Sequence, residues 1–406
     1  MSVVARRGSR RFVVGAVSLA HFLSHFYFLV FPPLFPLFRE EFGVSNTQLG
    51  LLFSLLFLMP TVLQIPVGDL VDRTGAKRVF VVGLALTGLG TTATALADSY
   101  LALLGFVLLA GVGQSAFHPA DFALLETVSD ASNRGKGFGA HTFAGFLGFA
   151  AGPLVAGGLG VRFGWRAALA GLGLVGLAYA AAAWLVLAPV HAGTGTAEDT
   201  GGNDGPLANW GQLADPRVAL TVLFFVVITV AGTGTQSFTV VFLTDAVGLG
   251  VAAANNTLSA NLAAAAVGVL AGGVLADRFD IYRTIAVTLL VATGLTALIA
   301  IGAVPPTLLA VGVAFVALGL FHGLALPSRD SLVSEFAEQG TAGKSFGLAY
   351  TGVTVGAFIA PVLFGFVSDT AGNRVMFGLV GAFYVAAVLT VLALSVGYAR
   401  HDGRPA

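Results

Sequence analysis

The 406-residue chain contains no cysteine. That excludes disulfides, thiolate nucleophiles and cysteine-based metal sites. Charge is nearly as scarce: 10% of residues are Asp, Glu, Lys or Arg, and the formal net charge is +0. A soluble surface needs more charge than that. A neutral chain also exerts no long-range pull on nucleic acid, so no nucleic-acid partner is expected. There is no GxxxxGK(S/T) loop, which removes direct ATP use, and the G-x-G runs lie inside apolar stretches, which removes a dinucleotide fold. No nucleophile, base and orienting group come together, so no enzyme, cofactor or resident metal is expected. The alternating ten-residue segments of a membrane β-barrel are missing too.

Apolar sequence is what the chain has in quantity: 56% hydrophobic residues, a mean hydropathy of +0.90 and 54 Gly. Twelve runs long enough to cross a bilayer are read at 12–36, 47–67, 79–97, 100–124, 137–160, 166–188, 217–243, 250–275, 284–303, 306–328, 343–367 and 374–397. Lipid offers the backbone no partner, so the runs are expected to be helices, and glycines within them allow close helix approach. The longest polar interruption, HAGTGTAEDTGGNDGPLANWGQLADP at 191–216, reads as a cytoplasmic linker between domains 1–190 and 217–406. A short amphipathic helix near Leu207–Leu213 is a compatible reading. With the amino terminus inside, only Arg39, Arg162, Arg166 and Arg374 of the 20 Lys and Arg fall outside. This bias puts both termini in the cytoplasm of a multi-pass cell-membrane protein, with the lipid bilayer as its obligatory partner.

The two halves repeat. At a fixed offset, Gly111, Pro119 and Leu124 answer to Gly319, Pro327 and Leu332. Gly148, Pro153, Gly157 and Arg166 answer to Gly356, Pro361, Gly365 and Arg374. GDLVDR at 68–73 returns as GVLADR at 273–278. Parallel repeats of six helices suit a transporter in which one half rocks against the other around a midplane site.

GDLVDRTGAKR, 68–78, resembles the signature loop of the major facilitator superfamily. The match falls on Gly68, Asp72, Arg73, Gly75 and Lys77 or Arg78. The second copy keeps Gly273, Asp277, Arg278 and Arg283 but has Asp280 where the second glycine would fall. The resemblance implies the major facilitator fold: an all-α integral membrane protein, twelve transmembrane helices in two pseudo-symmetric six-helix bundles, acting as a monomer. It also implies that this loop is a cytoplasmic latch holding the outward-open state. Asp72 would face the amino-terminal end of the eleventh span, and Arg73 and Arg78 would pair with acids of neighbouring loops. Membrane anchoring by snorkelling basic residues is the alternative for the charges.

The fifth span, GAHTFAGFLGFAAGPLVAGG at 139–158, is similar to the signature of the family's drug:proton exporters. Gly139, Gly148, Gly152 and Pro153 match, and Gly157-Gly158 arrives one residue late. Close packing of a glycine-rich helix is the alternative. The fourth span, GVGQSAFHPADFALLE at 111–126, resembles the fosmidomycin-resistance-like branch through Gly111, Gly113, Phe117, His118 and Pro119. That branch has an acid directly after the proline, whereas here Ala120 intervenes before Asp121. No arginine stands near Val107, where the superfamily's fourth helix would carry one.

Ionisable groups inside a span are functional candidates by default. His21 and His25 share one helix face near the bilayer centre and could carry a proton or bind an anion. Their spacing also suits a metal, but no further carboxylate or histidine is expected at that depth. His118, His141 and His322 are read nearer the inner surface. Asp121 is read as a gate or proton exit beside His118, or as a helix-end acid paired with Arg134 or Arg329. Gln64, Gln236, Asn261 and Tyr350 are cavity candidates, each either a substrate contact or a helix-helix tie. Gln236 stands out because Gly232 and Gly234 should loosen its helix. The reading is a secondary transporter working by alternating access, with protons coupled to export of a small hydrophobic or amphipathic compound. Proton symport of a small organic anion is the rival, and a non-transporting receptor or scaffold is the rival of another class.

Overall fold

The computed structural model describes residues 10–130, 134–187, 215–336 and 342–401. The linker at 191–216 therefore lies, but for Asp215 and Pro216, outside the described residues, as do Arg6, Arg7 and Arg404. Contacts divide the chain into two compact units, Met1–Gly195 with Gly250–Ser259, and Thr196–Leu249 with Ala260–Ala406.

The first unit contains α1 (Arg10–Phe28), a 3-10 turn at Pro32–Leu34, α2 (Phe35–Phe42), α3 (Asn46–Thr74), α4 (Ala76–Thr94), α5 (Tyr100–Gln114), α6 (Phe117–Glu126), α7 (Arg134–Phe163) and α8 (Trp165–Val186). The chain continues through α9 (Pro216–Asp245), α10 (Val251–Arg278), α11 (Ile281–Ala300), α12 (Leu308–Phe336), α13 (Ala342–Ala371) and α14 (Asn373–His401). Among the described residues eleven helical segments are long and apolar enough to cross a membrane. The helix Ala76–Thr94 is not among them, since it opens on Lys77 and Arg78. Apolar side chains stand uncovered along these segments, including Ile65 at 64% and Leu185 at 68% exposure. In water such a surface would aggregate, whereas in lipid it is the solvated face.

Helix ends follow local chemistry. Ser45 and Gln48 form a reciprocal capping box at the start of α3. Asp215 caps α9 through the Arg217 amide, with Pro216 at the first helical position. Gly75, at φ 91°, joins α3 to α4, a conformation any Cβ would disfavour. Its expected counterpart is missing from the second copy because Asp280 caps α11, accepting from the Arg283 amide at 2.8 Å. A different terminator thus does the same work.

The packing repeats inside each unit. In the first, α1 packs chiefly on α7, and α4 on α8 and α5. In the second, α9 packs on α13, and α11 on α14 and α12. These are the same partners under the sequence repeat, but α9 also packs extensively on α14, a pairing that α1 and α8 do not match. The fifth-span glycines explain the first pairing: a Cβ on Gly148 would strike the Phe22 carbonyl, and one on Gly152 would meet Leu29 at 2.9 Å. Gly352 and Gly356 similarly meet the Val222 and Val226 carbonyls of α9 at 2.7 Å. Gly157 faces Asn255, while Gly139 and Gly158 face open space.

Candidate functional site

The fourth apolar run is one kinked helical segment, Tyr100–Glu126. It tightens at Ser115-Ala116, between α5 and α6, where both residues keep right-handed helical dihedrals. Pro119 has no N–H to continue the ladder, and the amides of Ser115 and Ala116 close short turns on Val112 and Gly113 instead. The kink carries His118 and Asp121 into α6, against α1 and α7.

A cluster forms there. His21 Nδ1 lies 3.5 Å from Asp121 Oδ2, and His141 Nε2 lies 3.8 Å from the same oxygen. The His21 and His141 rings stack with centroids 3.8 Å apart. His25 stands 4.3 Å from His21, and His118 stands 5.4 Å from it. Asp121 is fully buried, His141 is 1% exposed and His21 4%. His25 is half-buried, and His118 is exposed, giving the cluster a way to the unit's surface. Of the two arginines expected beside Asp121, Arg329 pairs with Asp330 instead, and the Arg134 side chain lies outside the described residues. Imidazoles surround the carboxylate. The expectation of no further ligand at the depth of His21 is also corrected, because the kinked helix brings Asp121, and α7 brings His141, to that level.

The cluster is poor in hydrogen bonds. Both Asp121 oxygens, both His141 nitrogens, and Nδ1 of His21 and His25 are buried without a hydrogen-bond partner. Buried polar atoms normally have one. Gly145 leaves room for the rings: a Cβ there would lie 2.7 Å from His21 and 2.9 Å from His25. Phe149 closes on His25 at 4.2 Å, and Phe122 on His141 at 5.8 Å. One turn from His21, Ser24 Oγ donates to Gln114 Oε1 at 2.7 Å, and Gln114 Nε2 donates back to the Ser24 carbonyl at 2.9 Å. This reciprocal tie holds α1 to the kink. Sequence reading missed it, although Gln114 stands in the quoted motif.

The other candidates scatter. Gln64 in α3 and Gln236 in α9 are half-buried. The expected loosening around Gln236 does not occur, since α9 is continuous from Pro216 to Asp245. Its glycines serve packing: a Cβ on Gly234 would strike Phe364, and one on Gly232 would meet His322 at 3.2 Å. His322 Nδ1 in turn lies 3.1 Å from the Tyr384 hydroxyl. Asn261 is a helix tie, its amide donating to the Phe315 carbonyl at 2.8 Å with Gly319 against it. The Tyr350 hydroxyl donates to Asp330 at 3.3 Å, and Arg329, bonded to Asp330, lies over Phe225 and Tyr350.

In the signature loop, Arg73 pairs with Asp69 of its own helix at 2.8 Å, so the acid it uses is not in a neighbouring loop. Lys77 donates to the Leu187 carbonyl at 2.6 Å and lies over Trp184. Gly68 and Gly273 face open space, and Asp72 is exposed. Asp277 and Arg278 end α10, as Asp72 and Arg73 approach the end of α3.

The family model of the Major Facilitator Superfamily matches residues 17–341 and 226–405. The chain is 31% identical over 172 residues to the probable sulfoacetate transporter SauU of Cupriavidus necator, which covers 42% of this chain and 40% of that protein. It is 28% identical over 144 residues to the fosmidomycin resistance protein of Escherichia coli, covering 36% and 35%. The chain thus aligns with two fifths or less of these relatives' own length. Among solved structures it superposes on a bacterial homolog of the human lysosomal transporter Spinster, in an inward-facing and occupied conformation. That match has a TM-score of 0.81, 19% identity and coverage of 95% and 97%. The nucleoside transporter NupG gives a TM-score of 0.76 and 14% identity, covering 94% and 98%.

Proposed function

We propose that this chain, which belongs to the Major Facilitator Superfamily and is a multi-pass membrane transporter rather than an enzyme, couples protons to alternating-access export of a small hydrophobic or amphipathic compound. The observation that carries the reading is the buried cluster at the kink of the fourth run, where His118 and Asp121 stand against His21, His25 and His141. Carboxylate and imidazole are the groups that hand protons on inside membranes. Burying the Asp121 charge alone would cost several kcal/mol, roughly. A proton on the carboxylate itself removes that cost, and one on a facing imidazole offsets part of it by attraction, so the cluster favours states in which a proton is held.

The twelve-helix, two-bundle arrangement, cytoplasmic termini and monomeric state complete this reading. The repeated helix pairings and the basic-residue bias support the first two. Export rests on the fifth-span resemblance. Proton symport of an organic anion has its own support. Arg329, its side chain 14% exposed, lies over two aromatic rings in the second unit. Relatives are also named as a probable sulfoacetate transporter and a probable L-galactonate transporter.

The test is the internal pH of metal-free proteoliposomes challenged with apolar cations, neutral drugs and small organic anions. Proton movement on adding one class establishes coupling, and its sign separates antiport from symport. Cargo accumulation with no proton movement and no response to an imposed pH gradient would overturn the coupling.

A further inference from the structure

We propose that His21, Asp121 and His141 form a binding site for a divalent transition-metal cation of the zinc or cobalt class. Two imidazoles and one carboxylate are a borderline-soft set that suits such ions far better than magnesium or calcium. The three ligand atoms lie within 4.8 Å of one another. Ligands held 2.0–2.1 Å from a tetrahedral zinc stand about 3.3 Å apart. The observed 3.5 and 3.8 Å separations from Asp121 Oδ2 are close to that spacing, and the stacked His21 and His141 rings would swing apart to aim one nitrogen each at the ion.

The second observation is independent of spacing. All three side chains are more than nine-tenths buried, and His21 Nδ1, both His141 nitrogens and both Asp121 oxygens lack hydrogen-bond partners. A cation would satisfy several of them at once, which a single proton cannot do. Gly145 supplies the space. His118, exposed and with its ring 5.4 Å from that of His21, marks a way in, and a solvent molecule would complete four-coordination. The ion would tie α1, α6 and α7 together. Binding stands apart from the transport reading; only the consequence that the cation competes with coupling protons rests on it.

The experiment titrates tag-free, chelator-treated protein in detergent with Co2+, then Zn2+, without any membrane gradient. The expected result is one saturable Co2+ per chain with the strong visible absorption of a four-coordinate ion, displaced by Zn2+. Asp121→Asn and His141→Gln should each weaken it by at least about a hundredfold, since even outer-shell changes cost 10–100-fold. His322→Gln, in the other unit, should retain it. His21→Gln is the further variant should Asp121→Asn fail to elute as a folded monodisperse species. An absence of saturable binding, or Co2+ binding of wild-type strength in folded His21→Gln and His141→Gln, overturns the site. The proton record in metal-free liposomes tests coupling separately, so either claim can fail alone.

Discussion

Nδ1 of His21 stands 3.5 Å from Oδ2 of Asp121, and the carboxylate reaches no hydrogen-bond donor. The separation is too long for a good hydrogen bond and too short for indifference. On the proposed function such a pair serves proton coupling rather than stability. A buried ionisable group without full satisfaction weakens a fold, and an apolar residue of similar size would do better. Replacing His21, Asp121 and His141 together by apolar residues of similar volume is accordingly expected to be neutral or to stabilise the metal-free protein by ~1–3 kcal/mol while abolishing proton coupling. Thermal unfolding in detergent measures the first, and a lowered Tm would make the cluster a structural one.

The α1–α7 contact should tolerate no side chain at Gly148, whose Cβ would strike the Phe22 carbonyl. Gly148→Leu is expected to destabilise by about 1–3 kcal/mol or more through overpacking. Gly139→Ala, which meets open space, should stabilise by about 0.5–1 kcal/mol through helix propensity. Equal melting temperatures for the two variants would contradict the packing account of the fifth-span glycines.

Arg166 and Arg374 make parallel ties in the two units. Arg166 donates to the Ala97 carbonyl at 2.8 Å and pairs with Glu41. Arg374 donates to the Ala300 and Ala246 carbonyls at 3.3 and 3.1 Å. Each sits at the first turn of the last helix of its half. Replacing either by Met should cost about 0.5–1.5 kcal/mol, the net worth of an ordinary hydrogen bond, because these ties are partly exposed. Denaturant unfolding checks this, and a neutral Arg374→Met would break the parallel.

Asp72, exposed and next to the paired Arg73, tests the latch. Asp72→Asn should shift cysteine-accessibility labelling at the cytoplasmic ends of the fifth and eleventh spans towards the inward-open pattern. Unchanged labelling would leave the loop to anchoring. Lys77→Met, by removing the bond to Leu187, should loosen the end of α8 with no such shift.

Asn261 and Gln236 divide tie from cavity. Asn261→Ala removes the bond to the Phe315 carbonyl and should cost ~0.5–1.5 kcal/mol while leaving cargo preference alone. Gln236→Ala should change cargo affinity with little effect on Tm. The reverse pattern would exchange their roles.

Much of the fold can be read from the residues because lipid imposes a strong rule: long apolar runs become helices. The repeat in Gly148 and Gly356, or in Arg166 and Arg374, predicts which pairings recur. The site is less legible. Hydropathy treats Leu103 and Leu124 as one continuous run and does not see Pro119 kink the helix between them, so counting along a straight helix misplaces Asp121 and His118. His141 reads as close to the inner surface because its depth depends on where α7 begins, which composition does not fix. Gly232 and Gly234 suggest flexibility, but glycine loosens a helix only where nothing packs on it, and here Phe364 and His322 do.

The most direct test measures protons moved per cargo in metal-free proteoliposomes, for the wild type and for His21→Gln/His25→Gln. The account predicts that the double variant still exchanges cargo across the membrane by counterflow but moves no protons with it. An unaltered proton-to-cargo ratio in that variant would contradict it.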